Sequence, residues 1–265
     1  MSDTVRPNIL FSDESLLAIS KPPGIAVHES PGQGHSLLRD LRLEHGASLT
    51  PAHRLDKDAS GVLLLARSKA IAARLQRSWH LARKVYWALC DGIPGQSQGV
   101  INELILENRT SKPERMENAL RYFRKTHPDR QLPPAPAAKT SAVHPAGRSS
   151  QTNYGIIETF GDRWCWLEVR PQQGRMHQIR VHLAYAGHPL AVDPLYGRRN
   201  LLCASDIGAM GAEVLTRMPL HAAKLTFIYP SNPEREISID APLPDDLKNV
   251  LTILRISGLT YTQRG

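Results

Sequence analysis

Apolar residues in this chain fall mostly into short alternating or continuous runs, with only a few stretches at helical spacing. "NILFSDESLLAISKPPG" reads as two strands, Asn8–Phe11 and Leu16–Ser20, about a polar turn and closed by Pro22, Pro23 and Gly24. Val62–Ala66 is apolar throughout, as in a strand buried on both faces. "KVYWALCDG" alternates, so Val85, Trp87 and Leu89 point one way and Tyr86, Ala88 and Cys90 the other. Further strands are expected near Gln151–Glu158, at Trp164–Arg170, in "AAKLTFIYP" and in "REISID". Helices are expected after Ser36 and after Ser68, whose hydroxyls can cap the amides that follow, the second running to about Ala82 with Ile71 and Leu75 on one face. Two more are expected at Arg175–Ala186 and after Pro244. Strands outnumber helices and no repeat is visible, so the predicted class is α+β, a single domain with a mainly antiparallel sheet.

The pattern breaks between Asn108 and Ser150. This segment is basic at its start (Arg109, Lys112, Arg115, Arg121, Arg124 and Lys125) and rich in Pro and Ala later, which predicts an insertion or a long mobile loop over the surface. The basic half suits an arm that grips phosphates; a solvated variable loop accounts for it equally well.

"PAHRLDKDASGVLLLARS" sets His53, Arg54 and Asp56 against a small Ala-Ser-Gly corner that runs straight into the buried strand. An aspartate fixed between a tight corner and a buried strand is held rigidly at a sheet rim, the support that a catalytic carboxylate needs. Taken alone, the stretch reads more simply as a turn, since Asp and Gly are the usual turn residues. The helix "GRMHQIRVHLAYAGHPL" shifts the balance. On a wheel Met176, Ile179, Leu183 and Ala186 form the packing face, while His177, Arg180 and Ala184 form a stripe about a quarter-turn away. Arg180 is therefore expected to be half-buried and in need of a carboxylate, for which Asp56 is a candidate. For Arg175, contact with solvent or phosphate is the simpler reading.

Composition adds a partner. The 265 residues are 41% hydrophobic, enough for an ordinary core, and Lys plus Arg number 33 against 25 Asp plus Glu, a net charge of +8. That balance suits nucleic acid first and an acidic membrane surface second. Cys90, Cys165 and Cys203 are widely spaced with no C-x-x-C pair, so neither a disulfide framework nor a cysteine zinc site is indicated, and a reducing cytoplasm is the default. No run approaches the ~20 apolar residues of a membrane span and no signal peptide is visible at the N-terminus. His177 and His182 lack the i, i+4 spacing of a zincin helix, and no phosphate-binding glycine loop occurs, so no metal or cofactor is expected.

Four ordered motifs, "HRLDKDASGVLLLA", "KVYWALCDG", "GRMHQIRVHLAYAGHPLAVDPLYG" and "LHAAKLTF", preceded by "ISKPPGIAVH", make the chain from about Leu16 to Tyr229 resemble the RluA-type pseudouridine synthases. It departs from them at Ala59, where "TSG" is usual, losing a hydroxyl but no charge. With strand-forming sequence by Asn8, no room is expected for the small N-terminal RNA-binding domain of some relatives. The resemblance implies isomerisation of uridine in ribosomal or transfer RNA by a monomeric enzyme that needs no cofactor. It assigns Asp56 as catalytic carboxylate, Arg180 as its basic partner, and Tyr86 as the residue that stacks on the base and serves in proton transfer. Arg54 matches the arginine that replaces the extruded base in the stack; extrusion is expected because the reacting bonds are inaccessible in a duplex. Arg175 joins Arg54 on the RNA side, and His53 and His177 are read as structural support. A catalytically silent RNA-binding protein or chaperone on the same fold is the alternative, but it is expected to have lost Asp56, Tyr86 or Arg180, and all three are present.

Overall fold

In the computed structural model of the protein, residues 6–29, 35–108, 113–127, 133–211 and 213–262 are described. The chain opens with β1 (Ile9–Ser12) and β2 (Leu16–Lys21), then α1 (Leu37–His45), β3 (Thr50–Pro51), β4 (Ser60–Ala66) and α2 (Lys69–Ser78). There follow β5 (Arg83–Asp91), β6 (Gln98–Glu107), α3 (Pro113–Thr126), β7 (Ser141–Val143), β8 (Arg148–Phe160) and β9 (Trp164–Pro171). The chain continues with α4 (Gln178–Tyr185), β10 (Leu202–Cys203), β11 (Glu213–Leu215), β12 (Leu220–Ile228), β13 (Glu236–Asp240) and α5 (Asp245–Thr262).

Eleven strands form one sheet in the order β1-β2-β4-β12-β5-β9-β8-β6-β7, with β3 paired to β4 and β13 to β12, while β10 and β11 pair separately. Every pairing in the large sheet is antiparallel except a two-residue parallel contact of β4 with β12, Ser60 and Gly61 against His221 and Ala222. The expected α+β class with a mainly antiparallel sheet is what is found.

The continuous apolar run of β4 has a simple cause: both of its faces are covered. Leu63 and Leu65 pack with Leu37, Leu38 and Leu41 of α1, and Val62, Leu64 and Ala66 pack with Leu75 of α2. The Ser36 and Ser68 hydroxyls accept from the amides of Arg39 and Ile71, as their positions before each helix predict. β5 obeys the alternation read from "KVYWALCDG". Leu89 and Trp87 pack with Leu247, Val250 and Leu251 of α5, whereas Ala88, Cys90 and Tyr86 face Ile179 and Leu183 of α4.

Two expectations change. The 108–150 segment is not a structureless loop: it carries α3, which buries Leu120 and Phe123, and β7, which pairs with β6, while β8 already begins at Arg148. Arg109, Lys112 and the side chain of Arg115 lie outside the described residues. α4 also begins later than expected. The turn before it is closed by bonds between Arg175 and Gln178, and His177 is the N-cap with left-handed backbone, φ 58°. Met176 and His177 therefore do not belong to the helical wheel.

Candidate active site

Asp56 sits in the turn between β3 and β4, its carbonyl accepting the Ala59 N–H at 3.2 Å. Two devices fix this corner. Gly61 has φ 111°, and a Cβ there would overlap the Ala222 carbonyl, so glycine lets β4 start flush against β12. Lys21, fully buried at the end of β2, donates to the carbonyls of Pro22, Lys57 and Ala59 at 2.7–2.8 Å. Burial pulls the Lys21 ammonium down to about 7, opposed by the charges of Asp58 and Asp56. Its three N–H groups match the three carbonyls in the protonated form. Lys21→Met is therefore expected to leave those carbonyls unpaired, cost ~2–4 kcal/mol in chemical denaturation and lower turnover by loosening Asp56. Unchanged stability would mean that the corner holds without its lysine. Ala59, buried with its amide and carbonyl both bonded, shows the corner closing without the hydroxyl usual at that position.

Arg180 comes from the first turn of α4 and is more deeply buried than the wheel predicts, at 6% exposure. It has two carboxylate partners. Its Nη1 donates to Asp56 Oδ2 at 3.1 Å, while Nε and Nη2 form a two-point pair with Asp193 at 2.7 Å each. Burial alone would lower the guanidinium; the hydrogen bonds and charges of Asp193, then Asp56, outweigh it and raise it above its ordinary value. Asp193 is 1% exposed and also accepts from the amides of Leu195 and Tyr196. Arg180 lies over the Tyr196 ring at 5.0 Å, and the Tyr196 hydroxyl bonds His177 Nδ1 at 2.9 Å. The other ring nitrogen of His177 is 4.0 Å from Asp56. Burial, opposed by Asp56, holds His177 below its ordinary value. Asp193, Tyr196 and Lys21 were not singled out in the sequence: "VDPLYG" and "SKPPG" carry turn chemistry, which hides a buried charge.

A cavity of about 230 Å³ opens over this pair, and all seven residues singled out in the sequence line it: His53, Arg54, Asp56, Tyr86, Arg175, His177 and Arg180. Tyr86 reaches it from β5 as its parity requires, and burial, then the charge of Asp56, pushes its phenol up, so it stays protonated. His53 accepts the Leu64 N–H at 3.2 Å and stacks on Trp79 at 5.4 Å. Burial, then Lys84, pulls it down to about 3, which makes it a neutral acceptor and fits support better than proton transfer. Arg54 is exposed at the mouth, and Arg175 leans on β8 through the Ser149 carbonyl. Lys84, two residues before Tyr86 on the same face of β5, also lines the cavity above the Trp79 ring. Among the described residues no group of three or more His, Cys, Asp or Glu is placed to hold a metal ion. None of the described helices is long and apolar enough to cross a membrane. A carboxylate against a fixed, buried cation and a protonated phenol, gathered in one recess, together suit chemistry at one extruded nucleoside.

Residues 15–185 match the family model for RNA pseudouridylate synthase. The chain is 33% identical over 251 residues to ribosomal large subunit pseudouridine synthase C of Vibrio parahaemolyticus, covering 93% of this chain and 69% of that protein. It is 28% identical over 259 residues to ribosomal large subunit pseudouridine synthase D of Neisseria meningitidis serogroup A, covering 94% and 61%. The fold is that of human RNA pseudouridylate synthase domain containing 4, with a TM-score of 0.67 at 23% identity over 94% of this chain and 93% of that one. With the family model spanning well over half of its length and its sequence aligned to these synthases almost throughout, this protein belongs to the RNA pseudouridylate synthases, enzymes that isomerise uridine to pseudouridine.

Proposed function

We propose that the enzyme acts on ribosomal RNA of the large subunit, with Asp56 as the catalytic carboxylate, and that it works in the cytoplasm as a monomer in a single catalytic domain. The observation that carries the assignment is the 3.1 Å contact of Asp56 with Arg180 inside a cavity that also holds Tyr86. The target uridine leaves its stack and enters this cavity, with Arg54 at the mouth filling the space left behind and Arg175 holding the backbone. The bond between the ribose anomeric carbon and ring nitrogen breaks, the uracil rotates against the Tyr86 ring, and a bond forms to ring carbon five. The hydrogen on that carbon is released and the freed nitrogen gains a proton, so the net reaction is an isomerisation. Arg180 holds Asp56 aimed through its 3.1 Å contact; His177 and His53 brace the two walls.

The relatives' names favour large-subunit ribosomal RNA. Mapping pseudouridines across total RNA from cells with and without this protein tests that choice; a modification lost only from transfer RNA overturns it. Tyr86→Phe keeps the ring and removes the phenol. Tritium release from RNA carrying 5-tritiated uridine is expected to slow by ~10²-fold or more in single turnover, with RNA affinity unchanged. Full activity in this variant would leave Tyr86 only as a stacking surface.

A further inference from the structure

A second chamber, of about 610 Å³, shares Arg54, Asp56, His177 and Arg180 with the catalytic cavity but diverges from it towards Val27, Leu195 and Lys139. One wall is apolar: Leu195 is 54% exposed next to Pro194. The opposing charge is Lys139, which belongs to the segment between α3 and β7 and makes no ion pair among the described residues.

The placement of Lys139 is built. Its backbone is left-handed, φ 61°, a conformation that L side chains avoid. It is held there by its own N–H donating to the Asn108 carbonyl at 2.9 Å, and by Asn108, whose N–H donates to the Thr140 carbonyl and whose side-chain amide donates to the Pro136 carbonyl. Two residues on, the Ser141 N–H donates to the Tyr196 hydroxyl at 2.8 Å. That is the hydroxyl that holds His177, under the ring that Arg180 covers. The segment is therefore stitched directly to the catalytic ion pair.

Resting on the reading of the Asp56 cavity as the uridine site, we propose that this chamber receives the nucleotide adjoining the target uridine, its phosphate bound by Lys139 and its base against Leu195. A strand that turns one base inward must carry its neighbour past Arg54, and the chamber begins there. Glu29, Lys57 and Asp58 also line it; Arg180 is already satisfied by two carboxylates, which leaves Lys139, Arg54 and Lys57 as the cations available to phosphate, and of these Lys139 stands on the side of Leu195.

Asn tolerates left-handed backbone, so Lys139→Asn removes the ammonium without disturbing the turn. On a transcript of large-subunit ribosomal RNA carrying 5-tritiated uridine, KM is expected to rise ~5–10-fold with kcat within about twofold, and Lys139→Arg to restore it. Filter binding of the same transcript reads affinity without turnover, and its salt dependence is expected to flatten by ~0.7–0.9 in slope. An unchanged KM and slope, or a loss confined to kcat, overturns the proposal. Absence of tritium release by the parent protein instead counts against the uridine-site reading on which it rests.

Discussion

Asp56→Asn is expected to abolish pseudouridine formation, with turnover down at least ~10³-fold, while the protein folds normally and binds RNA as the parent does. The amide keeps the shape of the carboxylate and a partner for Arg180, so the corner held by Lys21 and Gly61 has no reason to move. What is lost is the charge. Tritium release with matched circular dichroism and filter binding checks all three statements; residual turnover within about tenfold of the parent would remove Asp56 from the chemistry.

Arg180→Met is expected to lose activity to a similar degree but, unlike Asp56→Asn, to lose stability too. Its guanidinium is the partner of two carboxylates, and Asp193 is the more buried of them. Removing the cation leaves Asp193 as an uncompensated interior charge, at a cost of ~3–5 kcal/mol. Adding Asp193→Asn removes that charge while keeping an oxygen for the amides of Leu195 and Tyr196. The double variant is therefore expected to recover much of the stability and none of the turnover. If Arg180→Met alone unfolds at the parent's denaturant midpoint, the two-carboxylate arrangement has no energetic weight.

These two variants also mark what was legible in the sequence. Asp56 and Arg180 stood out because each breaks a local pattern, a charge ahead of a buried strand and an arginine beside a packing face; Tyr86 breaks none, since periodicity alone favours a core tyrosine, and it came from the resemblance. Asp193 broke none, since an aspartate before a proline is ordinary turn sequence, and only the folded chain brings it under Arg180. Lys21 was hidden similarly, by "KPPG". β6 escaped notice because Val100, Ile101, Leu104 and Ile105 are spaced as on a helix, and in the sheet Val100 and Leu104 are exposed while Ile101 and Ile105 are buried. α3 was masked by the proline-rich stretch behind it, although Leu120 and Phe123 have the three-residue spacing of a helix face.

The two-residue parallel contact of β4 with β12 bears on the order in which the protein assembles. β12 lies between β4 and β5, so the part of the sheet carrying Asp56 and the part carrying Tyr86, with Arg180 behind it, meet through a strand that begins only at Leu220. A ribosome adding ~5–20 residues each second makes both parts well before it makes the strand that joins them. Each can form its hairpins early, β1 with β2 and β8 with β9, since those contacts are local, whereas Ser60 must wait for His221. The nascent chain thus carries the two halves of its active site apart until β12 is made, and it becomes competent to modify RNA only as that strand emerges.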